Sequence, residues 1–112
     1  MPHADVSESP KTAIELPRSA IAAFCRKWQV REFAVFGSVL RDDFRPDSDV
    51  DVMVEFDAAA KPTLYDLVDM QEELQALFGR KVDLLTRRAV EQMSNRHRRQ
   101  HVLESARVVY AA

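Results

Sequence analysis

The chain is expected to fold as a small α/β (α+β) domain, a mixed sheet with helices packed on it, and three observations predict this. Val30–Phe36 and Val50–Phe56 are β-branched and aromatic runs of strand length. A long segment with helical periodicity, Thr63–Phe78, separates the second run from a third short strand at Lys81–Thr86. The resulting order, α-β-(α)-β-α-β-α, suits a layer of helices on a sheet better than a bundle or a sandwich.

Residues 1–12 are polar, with Pro2, Ser7, Ser9 and Pro10, and read as a flexible tail, leaving 13–112 as one domain. The first helix is expected over 17–28. Pro17 suits a first turn, and Ile21, Phe24, Cys25 and Trp28 form an i, i+3, i+4, i+7 stripe. In that stripe Cys25 reads as core, and Trp28 as core or rim rather than a base-stacking platform. Val30–Phe36 ends at Gly37, one of only two glycines in the chain, which suggests a backbone role there. Ser38–Asp43 can begin a short helix, and Phe44–Ser48 reads as a loop.

The third helix has the clearest start. Pro62 precedes Thr63, and Thr63 with Asp66 forms a capping-box pattern. Leu64, Leu67, Val68, Gln71, Leu74, Leu77 and Phe78 are expected on its buried face, with Gln71 the polar exception, and Gly79 is the expected C-terminal stop. Arg87–Asn95 and Arg96–Tyr110 both read as helical. Val102, Leu103, Ala106, Val109 and Tyr110 make the packing face of the second.

Composition removes several classes. The apolar fraction of 46 % permits a true core, and a net charge of −2 argues against a general nucleic-acid coat protein. One cysteine allows no intrachain disulfide and fits a reducing compartment. Met1–Glu15 lacks an apolar signal core, and the longest apolar run, Ala20–Cys25, is too short to cross a bilayer, so a cytoplasmic location is expected.

The chemistry is concentrated in Phe36-Gly37-Ser38-Val39-Leu40-Arg41 and the following Ser48-Asp49-Val50-Asp51-Val52. Strand side chains alternate, so Asp49 and Asp51 share one face while Val50 and Val52 point into the fold. Two such carboxylates repel unless a cation lies between them, and hard oxygen ligands suit Mg2+. The turn before them offers N–H groups and a hydroxyl to phosphate oxygens. Asp83, in the middle of the third strand, is a poor structural choice unless it joins this pair; an ion pair with Arg80 or Arg87 is the alternative. Ser38 can cap a helix or hold phosphate. Arg41 can bind phosphate or brace Asp47 or Asp49. Seven basic residues between Arg80 and Arg99 form a solvated surface, or a contact for an acidic partner or nucleic acid. His97 and His101 lie one helical turn apart, but no neighbouring acid or cysteine completes a metal site with them.

Gly37-Ser38, Arg41, Ser48-Asp49-Val50-Asp51 and Val82-Asp83-Leu84 together resemble the minimal nucleotidyltransferases of the polymerase-β-like superfamily, most closely the antitoxins of HEPN–MNT toxin–antitoxin systems. The resemblance spans about residues 16–110. It implies that Asp49, Asp51 and Asp83 hold two Mg2+ ions, with Asp83 near the acceptor hydroxyl. Gly37, Ser38, Arg41 and Ser48 would bind the nucleotide. It also implies in-line attack on the α-phosphorus of ATP, transfer of AMP to a hydroxyl of a cognate HEPN toxin, a tyrosine by preference, and release of pyrophosphate. The chain departs from the commonest family pattern at Asp42, where many relatives carry glycine; Asp42 and Asp43 are expected to face solvent or a partner. Two other readings stand beside this one. One is an antitoxin that occludes its toxin without catalysis, and the other a small-molecule, aminoglycoside-type transferase. A homo-oligomer is compatible with each; direct nucleic-acid binding is not expected.

Overall fold

The computed structural model of the chain describes residues 16–37 and 49–112. The expected tail, and Ser38, Arg41, Asp42, Asp43 and Ser48, lie outside the described residues. The elements are α1 (Arg18–Trp28), β1 (Val30–Phe36), β2 (Val50–Phe56), α2 (Leu64–Phe78), β3 (Val82–Thr86), α3 (Arg87–Glu91), α4 (Arg96–Ser105) and β4 (Arg107–Ala111). The four strands form one sheet in the order β3-β2-β1-β4. β2 and β4 run antiparallel to β1, and β3 runs parallel to β2. The sheet is therefore mixed, and helices cover both of its faces.

The strand sequences explain the two faces. Val50, Val52 and Val54 are fully buried and join Phe33, Val35 and Val82 beneath α1 and α2. Ile21, Phe24 and Cys25 of α1 and Met70 and Leu74 of α2 complete this core, and Phe24 meets Phe33 edge-on at 6.1 Å between centroids. The intervening residues Ala34, Phe36 and Met53 pack on the other face against Val90 of α3 and Val102 of α4. Phe33–Phe36 is consequently buried without interruption, as a central strand covered on both sides should be. Trp28 packs at the rim of the first core. Its indole N–H donates to Glu73, which also pairs with Lys27 at 2.6 Å and so ties α1 to α2.

α2 begins as its sequence dictates. Thr63 Oγ1 accepts from the Asp66 N–H, and the Asp66 carboxylate accepts from the Thr63 N–H. Gly79 ends the helix in the left-handed region at φ +68°. Thr63→Ala should lower unfolding free energy by about 1 kcal/mol, readable as a shifted urea midpoint with an unchanged slope.

The buried face of α2 differs from the expected one. Leu64 and Val68 are 79 % and 57 % exposed, and Tyr65 beside them is exposed too. The stripe that meets the sheet is Leu67, Met70, Gln71, Leu74, Leu77 and Phe78, and among the described residues nothing covers Leu64 and Tyr65 in the first turn. Gln71 belongs to the stripe for a polar reason. β3 is an edge strand, and its outward N–H groups need acceptors. Gln71 Oε1 accepts from Leu84 and Gln75 Oε1 from Val82, both at 3.3 Å.

The C-terminal third departs furthest from expectation. α3 stops at Glu91 rather than reaching Asn95, and Asn95 instead caps α4 by accepting from the Arg98 N–H. The helix expected to run to Tyr110 ends at Ser105; Ala106 is extended, and residues 107–111 form β4. Val108, Val109 and Tyr110 are strong strand formers, and β1 without β4 would expose an apolar edge. Pairing with β1 outweighs continuation of the helix, and Val109 and Tyr110 still reach the first core from the strand.

A candidate nucleotide and metal site

The parallel pairing of β2 with β3 sets Asp51 directly beside Asp83, and side chains so paired lie on one face of the sheet. On the other side of β2, Asp51 stands opposite Phe36, the last residue of β1. Gly37 follows with φ +76°, and a Cβ at that position would run into Oδ2 of Asp51. Gly37 is therefore required twice, for its backbone conformation and for its closeness to the carboxylate. Asp49 and Asp51 are half-buried and Asp83 is exposed, so the cluster is open to solvent from the β3 side.

The site shifts the titration of Asp51. Burial pushes the Asp51 carboxyl up from 3.8 to about 6, with Asp83 and then Asp49 raising it further and Arg98 opposing them. Such mutual repulsion is what a bound cation relieves, and carboxylate oxygens are the donors Mg2+ prefers. Among the described residues no group of three or more His, Cys, Asp or Glu side chains is arranged to hold a metal ion. The fit to Mg2+ therefore rests on the Asp51–Asp83 register and the donor chemistry, not on a preformed cage.

Of the sequence-predicted residues, the fold brings together Gly37, Asp49, Asp51 and Asp83. Arg87, one alternative partner for Asp83, pairs instead with Glu91 at 3.3 Å and Glu32 at 3.8 Å. Cys25 is sealed in the first core, and burial raises its thiol to about 12, which leaves it no nucleophilic role. Arg98 was legible only as one member of a basic stretch.

A mixed sheet that holds an acid-x-acid strand beside a third strand acid, at a glycine turn, is the core of a nucleotidyl-transfer protein. A family model described as "Nucleotidyltransferase domain" matches residues 18–109, and the chain belongs to that family. The protein adenylyltransferase MntA of Thermococcus cleftensis is 42 % identical over 59 residues, covering 53 % of this chain and 58 % of the relative. MJ1379 of Methanocaldococcus jannaschii, provisionally named a protein adenylyltransferase, is 38 % identical over 64 residues, covering 57 % of this chain and 64 % of the relative. The matches thus span less than two thirds of these relatives.

Among solved structures, a toxin–antitoxin with AMP-PNP superposes with a TM-score of 0.66 at 19 % identity, covering 87 % of this chain and 75 % of the other. A complex of tri-AMPylated Shewanella oneidensis HEPN toxin with MNT antitoxin gives a TM-score of 0.58 at 18 % identity, covering 85 % and 70 %. At those identities the likeness is one of fold. Among the described residues no helix is long and apolar enough to cross a membrane.

Proposed function

We propose that this chain transfers AMP from ATP to a hydroxyl on a partner protein, a HEPN-type toxin, and so neutralises it. The acceptor favoured by the family resemblance is a tyrosine. The observation that carries the reading is the placing of Asp51 beside Asp83 and against the Gly37 turn. The adenylyltransferase name of the Thermococcus relative and the AMPylated HEPN toxin in a fold neighbour support the choice of nucleotide and partner.

In this reading Asp49, Asp51 and Asp83 hold Mg2+. When bound, Mg2+ neutralises charge on the triphosphate and lowers the pKa of a coordinated oxygen. The Gly37 backbone would approach phosphate, and a side chain there would meet the Asp51 carboxylate. Asp83, the most exposed of the three acids, would receive the acceptor's proton in this reading. Ser38, Arg41 and Ser48 complete the nucleotide contacts expected from the sequence. The chain's main contribution is positioning and charge neutralisation.

Incubation of the purified chain with its partner toxin, Mg2+ and α-labelled ATP should label the toxin, and a chelator should stop it. An Asp49→Asn, Asp51→Asn double variant should lose the label by about 10³-fold or more. Equal labelling by that variant would sink the catalytic reading. The exposed Leu64, Tyr65 and Val68 on α2 favour one alternative, neutralisation by docking alone. Under it the double variant would still protect cells from the toxin.

A further inference from the structure

We infer that the outer edge of the sheet, β3 with the side of α2 that overhangs it, is the docking surface for the acceptor protein. It fits a helical ridge of apolar side chains bordered by charges of both signs. The inference rests on the proposed transfer to a protein hydroxyl and adds where that protein sits.

Leu64, Val68, Gln71 and Gln75 follow i, i+4, i+7, i+11 and so share one side of α2. The two glutamines fix which side this is. Gln71 accepts from the Leu84 N–H and Gln75 from the Val82 N–H, so the row runs along β3, the outermost strand. Leu64 lies about 10 Å beyond Gln71 along the helix, whereas β3 ends at Thr86, about 7 Å beyond Leu84. The first turn of α2 therefore overhangs the end of the strand. There Leu64 and Val68 are 79 % and 57 % exposed, and Tyr65 beside them is 84 % exposed. Leu67, next to Val68 on the side toward the sheet, lines a cleft of about 590 Å3 with Val54, Pro62, Thr86 and Arg88. A cavity of roughly 150 Å3 holds a benzene ring, so this cleft admits more than one large side chain. An apolar shelf above such a cleft is what an interface anchor requires.

The charges around the shelf describe its occupant. Asp69 and Glu72 lie on the outward side of α2, and Lys61 and Arg88 border the cleft. All four are exposed, and among the described residues none of them forms an ion pair. They complement a partner with Lys or Arg facing α2 and a carboxylate facing the cleft. Leu64 and Val68 stand one helical turn apart, the spacing along which the ridge of a second helix packs. Addition of a strand is disfavoured, because the glutamines already occupy the outward N–H groups of Val82 and Leu84. Asp69 and Glu72 disfavour an anionic lipid surface. Asp83 lies between Val82 and Leu84 and is exposed, and among the described residues no strand lies outside β3. A protein seated on this edge reaches Asp83 without crossing the sheet, so docking and transfer share one side of the molecule.

The test compares the wild type with a Leu64→Gln, Val68→Gln variant, in which glutamine preserves helix propensity. Calorimetric titration with the partner toxin measures docking, and labelling of the toxin from α-labelled ATP gives kcat and KM. The variant should bind the toxin about 10- to 100-fold more weakly and raise KM for it to the same extent. Its kcat, its melting temperature and its affinity for AMP-PNP with Mg2+ should not change. Asp69→Asn, Glu72→Gln should chiefly slow association and flatten its salt dependence. Unchanged toxin binding by the Leu64→Gln, Val68→Gln variant would overturn the inference. So would a wild-type dimer, seen by sedimentation, that this variant abolishes, because a second copy would then hold the edge. A wild type that binds the toxin without labelling it would remove the transfer reading, and the binding comparison would still decide the docking surface. A wild type that neither binds nor labels the toxin would remove both.

Discussion

Replacing Asp51 with asparagine is expected to abolish nucleotidyl transfer and, in metal-free protein, to make the fold more stable. The loss of activity, on the order of 10³-fold or more, follows from removing a carboxylate that faces both the metal and the phosphate. The gain in stability follows from the same residue's surroundings. Burial and the charges of Asp83 and Asp49 hold its carboxyl near 6 in the folded chain, against 3.8 as the ordinary value. Between those values the folded chain keeps a proton that the unfolded chain has lost, so stability falls as pH rises. Above about 6 the whole penalty applies. Its size is about 1–2 kcal/mol once partial exposure is allowed for. Thermal unfolding in chelator should therefore show the wild type losing stability between pH 4 and pH 7, while Asp51→Asn loses less and lies higher at pH 7. Mg2+ should close most of the gap by stabilising the wild type alone. A less stable Asp51→Asn at pH 7 in chelator would show that the site is not strained by its own charge.

Gly37→Ala is expected to damage fold and function together. At φ +76° an alanine is strained by about 1–2 kcal/mol before it meets any neighbour. Its Cβ then meets Oδ2 of Asp51, so either the β1 end or the carboxylate must shift. A displacement of that kind should lower kcat/KM by about 100-fold. The two costs can be separated. Asp51→Ala removes the oxygen in the way, so the Gly37→Ala, Asp51→Ala double variant should recover part of the lost stability and none of the activity. Additive losses of stability in the double variant would show that the contact is not the cause.

Much of this architecture was legible in the sequence because it depends on local patterns. β1 and β2 begin and end where their β-branched runs do, and Thr63, Asp66 and Gly79 mark the ends of α2. Asp51 and Asp83 could be singled out because an acid in a short apolar strand has no cheap structural explanation, and Asp49 because it stands two residues before Asp51. The C-terminal strand could not be read in the same way. Val108-Val109-Tyr110 satisfies helical and extended spacing alike, and only the open edge of β1 decides between them. The exposure of Leu64 and Val68 depends on how far the sheet extends under α2. In each case the missing information is the neighbour, not the residue.

The two glutamines of α2 fix the register of the outer strand. Four residues of helix rise about 6.0 Å, and two residues of strand about 6.6 Å. Gln71 and Gln75 can therefore meet Leu84 and Val82 together only when helix and strand are aligned in one way. They act as a two-tooth key between the helix and the outer strand. A slip of one residue would leave both teeth unengaged and turn Asp83 to the opposite face, away from Asp51. Two amides with no chemistry of their own thus hold the alignment on which the acidic cluster depends.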